Sequence, residues 1–159
     1  MIFVTLGSQK FQFDRLLQKL DELVEKGVIQ EEMIAQIGSS TYHPQHYQYV
    51  QFMDRMEFSD TMNQATTVIT HGGTGVIISA VKLGKKVIAV PRLAKYGEHV
   101  DDHQLQLLHQ FDDLGIICAC YEMENLEQCV KELPERTFRP YISNTNVIIS
   151  SIDEYLHTI

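Results

Sequence analysis

Apolar and polar positions along this chain follow two periods, and the changes from one to the other mark strands alternating with helices. Residues 2–6, Ile2-Phe3-Val4-Thr5-Leu6, form a short apolar run that ends in Gly7-Ser8-Gln9, the pattern of a buried strand and a turn. Residues 12–26 keep helical period, with Phe13, Leu16, Leu17, Leu20 and Leu23 on one face, and Gly27 ends the helix. Residues 33–37 and 47–52 read as strands, and 59–64 as a short polar helix with Ser59 as its cap. Strand 67–70, helix 74–83, strand 86–90, helix 102–114 and strand 116–120 follow. Residues 125–133 and 144–157 read as closing helices, the second carrying Val147, Ile148, Ile152 and Leu156 on one stripe.

This alternation predicts an α/β fold: a Rossmann-like, mostly parallel sheet with helices on both faces and right-handed crossovers. The chain has 159 residues and reads as one domain, residues 1–159, or as half of a larger two-domain machine, with 44% hydrophobic content, enough for a packed core.

The chemistry concentrates after two consecutive strands. Val68-Ile69-Thr70 runs into His71-Gly72-Gly73-Thr74-Gly75, and a helix follows. Glycines let backbone N–H groups face outward, and the helix turns its positive end to the same spot. Together they suit a diphosphate or another anion. The pattern is neither G-x-G-x-x-G nor a Walker loop, so a bare strand-to-helix turn is the local alternative. The second cluster, Pro91-Arg92 and Tyr96-Gly97-Glu98-His99-Val100-Asp101-Asp102-His103-Gln104, opens the next helix. Ligands of open parallel sheets sit outside the carboxyl ends of the strands, where both clusters fall. His103 and Gln104 offer donors and acceptors to sugar hydroxyls, while Asp101 and Asp102 read as helix caps. Arg92 offers a cation to a phosphate, or pairs with Glu98 at the surface.

Net charge bounds the partners. At −8, with no basic face evident, nucleic acid is excluded as the main partner. Cys118, Cys120 and Cys129 lack zinc spacing. The first two project to one face of a strand and read as core residues of a reducing compartment, with a redox pair as the alternative. His43 and His46 read as a surface turn rather than a metal site. Met1 to Leu6 lacks a basic leader, and no stretch approaches the roughly 20 apolar residues of a membrane span, so a cytoplasmic, soluble chain is expected.

His71-Gly72-Gly73-Thr74-Gly75, Gly84 to Arg92, Glu98 to Gln104 and the opening Phe3 to Ser8 together resemble the carboxy-terminal domain of glycosyltransferase family 28, over residues 1 to about 135. The resemblance implies one half of a GT-B enzyme, the half that binds a UDP-sugar donor. It implies a split system, in which a membrane-anchored partner subunit binds a lipid-linked saccharide acceptor and recruits this chain to the inner face of the membrane. The wording from Pro91 to Gln104 looks like the bacterial capsule and exopolysaccharide group, with inverting β-1,4-galactosyl or glucuronosyl transfer. N-acetylglucosaminyl transfer, as in the dolichol pathway, is the alternative.

Carried over by position, Gly72, Gly73, Thr74 and Gly75 meet the donor nucleotide. His103 and Gln104 meet sugar hydroxyls, and Gly7 and Ser8 face the diphosphate across the interdomain cleft. Ser79 stands where many members carry a ribose-binding glutamate. His71 orients the glycine turn. His99 is a candidate general base, although that base often comes from the other half. No metal or other cofactor is expected: Asp101-Asp102 is adjacent rather than alternating, and electrostatic stabilisation of leaving UDP suffices. A non-catalytic enhancer subunit and a stand-alone nucleotide-sugar enzyme are the competing classes. Helix 144–157 and the loop tips at Gly7-Ser8 and Tyr96 are the expected partner surfaces.

Overall fold

The computed structural model describes residues 1–141 and 152–156. Six parallel strands form one sheet: β1 (Ile2–Thr5), β2 (Met33–Gln36), β3 (Gln48–Val50), β4 (Thr67–His71), β5 (Lys86–Val90) and β6 (Cys118–Ala119), in the order β3-β2-β1-β4-β5-β6. The helices are α1 (Asp14–Glu25), α2 (Arg55–Gln64), α3 (Thr74–Lys82), α4 (His103–Asp113) and α5 (Leu126–Glu132). The α/β expectation therefore holds.

Side chains alternate through the strands and divide the core into two layers. Ile2, Val4, Ile69, Ile88 and Val90 pack with Leu16, Leu17, Leu20 and Leu23 of α1 and Leu126 of α5. Phe3, Val68, Val87 and Ala89 pack on the opposite side, with Met62 of α2, Ile77 and Ala80 of α3 and Leu108 and Phe111 of α4. The central strands are buried on both faces, as a parallel sheet under two helical layers requires.

Several boundaries differ from the sequence expectation. Helix α2 begins at Arg55, not Ser59. Asp54 caps it by accepting from the Glu57 N–H, and the Glu57 carboxylate returns the bond to the Asp54 N–H. This reciprocal box satisfies donors one turn earlier than Ser59 would. Strand β3 is three residues long and β6 only two. Cys118 and Cys120 are both buried in the α1/α5 layer, so they share a face as expected. Of the expected helix 144–157, residues 152–156 are helical and the remainder lies outside the described residues.

The chain winds outward from β1 to β2 and β3, then crosses back to place β4 on the other side of β1. The connections leaving β1 and β4 thus diverge, and a crevice opens between them at the carboxyl ends of the strands. Gly7 after β1 and His71 at the end of β4 line it.

Candidate functional site

His71 is the pivot of the crevice. Its Nδ1 accepts the Gly73 N–H at 3.0 Å and the Gln104 side-chain amide at 3.2 Å. With Nδ1 accepting, the neutral ring carries its proton on Nε2. Burial, reinforced by the nearby Arg92 cation, pushes the His71 pKa down to about 4, so the ring is neutral at physiological pH. Nε2 faces Gly7: a Cβ built on Gly7 would come within 3.0 Å of it, and Gly7 also has φ +76°. Both conditions call for glycine.

Gln104 has a different role from the sugar contact expected of it. It is 5% exposed. Its Oε1 accepts the Gly72 N–H at 3.0 Å and the Arg92 N–H at 3.1 Å. One amide thereby joins the turn after β4, the end of β5 and the start of α4. Its oxygen accepts twice and one of its two amide protons goes to His71, all within the protein. Gly72 and Gly73 are glycines because this bracket is tight. A Cβ on Gly72 would stand 2.7 Å from the Gln104 Cβ, and one on Gly73 would overlap His71 Cε1.

The same bonds revise which donors face outward. The N–H groups of Gly72 and Gly73 point into the protein. Among the described residues, the donors left without a side-chain partner are those of the first turn of α3, at Thr74, Gly75 and Val76, because Gly73 caps the helix without a side chain. Gly75 is exposed, and nothing lies within 4 Å of a Cβ built there. No contact or backbone angle demands glycine at this position. Ser79 is exposed one turn further along the same face of α3.

Arg92 is also reassigned. It is 1% exposed, and its guanidinium donates to the carbonyls of Leu6, Phe11 (3.0 Å), Gln12 (3.2 Å) and Glu98 (3.4 Å). Burial lowers its pKa to about 10, still a cation at neutral pH. Arg92 ties down the loop from β1 to α1 instead of reaching a phosphate. Nor does its side chain pair with the Glu98 carboxylate. That group is buried against Arg15 of α1, at 2.9 and 3.0 Å, and accepts the Leu93 N–H at 3.0 Å. Gln12 adds a bond to the Tyr96 carbonyl at 2.9 Å. Arg15 and Gln12 escaped sequence reading, and Glu98 was matched to Arg92 instead of Arg15, because the true partners lie about 80 residues apart with no local signal.

Ser8 is exposed on the strapped loop. His99 and His103 stand at the crevice rim, their rings 5.9 Å apart. His99 also packs on Phe11 at 5.2 Å, and His103 faces Tyr155 at 6.2 Å. Asp101 Oδ1 lies 3.3 Å from His99 Nδ1 and 3.6 Å from His103 Nδ1, and accepts the His103 N–H at 3.1 Å. Asp102 accepts the Ala94 N–H at 2.8 Å. Asp101 thus serves the first N–H of α4 as expected, whereas the Asp102 side chain makes no cap bond to the helix and holds the Ala94 turn instead. His43 and His46 lie away from the crevice. His46 meets Asp21 of α1 at 3.0 Å, an acidic neighbour that the local sequence lacks. Among the described residues, no three His, Cys, Asp or Glu side chains converge as a metal cage, and no helix is long and apolar enough to cross a membrane.

Comparison with known proteins places this geometry in context. The model of the glycosyltransferase family 28 C-terminal domain matches residues 1–156. The UDP-N-acetylglucosamine transferase subunit ALG13 of Candida glabrata is 36% identical over 81 residues, 50% of this chain and 38% of that protein. The chain therefore spans well under half the length of that relative. The solution structure of ALG13 superposes with a TM-score of 0.57 at 19% identity, covering 92% of this chain and 91% of that one. MurG from Acinetobacter baumannii superposes with a TM-score of 0.58 at 18% identity, over 85% of this chain and 41% of MurG. These superpositions establish the shared fold.

Proposed function

The chain belongs to the family of glycosyltransferase family 28 C-terminal domains, and from that premise we propose that it is the donor-binding, catalytic subunit of a two-chain inverting UDP-sugar transferase. The carrying observation is Gly75. A helix start at the sheet's crossover point keeps three outward N–H donors, and a glycine without internal reason leaves the space above them open. Glycine in a helix costs up to about 1 kcal/mol relative to alanine, the upper end applying to interior positions, and access for a diphosphate accounts for that cost.

In this reading the UDP diphosphate sits on Thr74, Gly75 and Val76, and their N–H groups stabilise the charge that grows as the anomeric C–O bond breaks. Gly7 and Ser8 approach from the β1 side, with the His71 Nε2–H between the two loops. Ser79 donates to the ribose, and His103 at the rim meets the donor sugar. His99 or a group of the partner takes the acceptor proton. The reaction as proposed uses no metal or other cofactor.

The need for a partner follows from shape: one sheet supplies one wall of a cleft. Phe52, Met56, Tyr96 and Val100 are exposed on the segments that leave the carboxyl ends of β3 and β5, apolar positions a second subunit would cover. We place that subunit at a membrane, binding a lipid-linked saccharide and holding this chain at its inner face. The Pro91 to Gln104 wording supports galactosyl or glucuronosyl transfer in capsule or exopolysaccharide assembly. The curated relative's name, an N-acetylglucosamine transferase subunit, favours N-acetylglucosamine as a second reading.

The test is calorimetric titration with UDP, UDP-galactose, UDP-glucuronate and UDP-N-acetylglucosamine, on the parent chain and Gly75→Ala, alone and with the co-expressed partner. Gly75→Ala is expected to keep stability or raise it by less than about 1 kcal/mol, while weakening UDP binding at least tenfold. Undiminished UDP binding in Gly75→Ala overturns the assignment. Absence of binding with the partner present favours an enhancer role.

A further inference from the structure

A second charged feature lies at the opposite, amino-terminal rim of the sheet. A cavity of about 710 Å³ opens between the end of α3, the start of β5 and the segment from Pro134 to Tyr141. Lys82, Lys85, Lys86, Arg136 and Arg139 line it, five of the chain's 13 lysines and arginines, against Glu135 as the one acidic lining residue. This concentration stands in a chain of net charge −8.

The five cations are poorly neutralised. Lys86 donates to the Leu133 and Pro134 carbonyls, both at 3.0 Å, and Lys85 to the Asn63 carbonyl at 2.8 Å. Arg136 donates to the Cys118 thiol at 3.0 Å and approaches the Asp112 carboxylate no closer than 3.9 Å. Lys82 lies 5.7 Å from the centre of the Tyr141 ring. Among the described residues, Lys82 and Arg139 have no carboxylate within 4.0 Å. Several positive charges held in one concavity with low-dielectric walls focus their field outward. Val81, Ile116 and Phe138 give the cavity an apolar wall beside the charges. Its volume suits a small molecule, and guanidinium groups match the geometry of phosphate oxygens.

We propose that this cavity binds a soluble small molecule bearing two or more phosphate groups, at a site separate from the glycine turn. The proposal does not depend on the donor reading, because no lining residue belongs to the crevice. Its position behind the sheet leaves the crevice free, so the two sites fill independently.

Amide NMR titration of the full chain with inorganic triphosphate tests it, in the parent, in Lys82→Gln/Arg139→Gln and in Lys131→Glu. The double variant and the control lower the net charge equally, and the control lies on α5 outside the cavity. Saturable shifts at Lys82, Gly84, Gly115 and Tyr141, weakened at least tenfold in the double variant and unchanged in the control, are expected. Shifts at Thr74 to Val76 report the crevice separately, and their absence bears on the donor reading alone. Three results overturn the proposal: shifts confined to Thr74 to Val76, a non-saturating drift, or equal weakening in both variants. Binding to phosphatidylcholine vesicles containing phosphatidylglycerol, without binding to triphosphate, also overturns it, because the ligand is then a lipid headgroup.

Discussion

Replacing Gln104 with leucine separates a structural bracket from a ligand contact. Leucine preserves bulk and helix propensity but removes the acceptor of two buried N–H groups, at Gly72 and Arg92, and one donor to His71. A buried amide left without a partner costs about 1–3 kcal/mol, so the two together cost about 2–6 kcal/mol. For a domain of this size that lowers the melting temperature by roughly 5–20 °C. The assay is thermal and urea unfolding, with hydrogen exchange read at Gly72 and Arg92, whose amides lose protection in the variant. Gln104→Glu keeps the acceptor, costs less, and lifts the His71 pKa above about 4 by placing a carboxylate beside Nδ1. The reasoning is refuted if Gln104→Leu stays within about 0.5 kcal/mol of the parent, a surface-like effect, with both amides protected while UDP affinity collapses. That result would return Gln104 to the ligand.

Two further outcomes concern pH and the loop beside α1. His71 has a folded pKa near 4 against an ordinary 6.5, so the unfolded chain binds more protons between those values. Its contribution to stability is therefore greatest above pH 6.5, falls as pH drops through the window, and levels off below about 4. The total change is roughly 3 kcal/mol. Urea unfolding at several pH values should show this slope flattened in His71→Asn, and a His71 imidazole signal, assigned by its loss in that variant, titrating near 6.5 would contradict it. Asp21 is buried on α1. Burial raises its pKa, but bonds from the Tyr42 hydroxyl, the Gln45 and His46 N–H groups and the His46 ring outweigh that and hold it below the usual 3.8. Its stabilisation is present above that value and disappears as pH falls below it. Asp21→Asn should cost about 2–4 kcal/mol and open residues 40–47 to limited proteolysis. Unchanged cleavage would show that the loop is held by other contacts.

Much of the architecture was legible because it rests on local chemistry. Apolar runs bounded by Gly7, Gly38 and Gly84, and the leucine stripe of α1, specify elements whose period alone separates strand from helix. Helix α2 was the clearest misplacement, since Asp54 and Glu57 form a capping box that the choice of Ser59 passed over. The position of the crevice was legible too, because both polar clusters directly follow strands. The work done by its residues was not. Arg92 and Gln104 look like ligand groups in a one-dimensional reading, being polar and next to a glycine turn. In the fold they are among the most buried polar side chains, satisfied by carbonyls and amides from elements up to 86 residues away.

Propensity, period and capping act over a few residues, and they were enough to set the alternating elements, the parallel sheet and the two polar clusters. Which donors face outward was settled by packing across the fold. Packing turned the Gly72 and Gly73 N–H groups onto Gln104 and His71 and left α3 to start at Thr74, Gly75 and Val76 without a side-chain cap. It also gathered five cations, from segments up to 57 residues apart, at the rim opposite the crevice. Burial and long-range hydrogen bonding set both outcomes, and neither leaves a signature in the local pattern of residues.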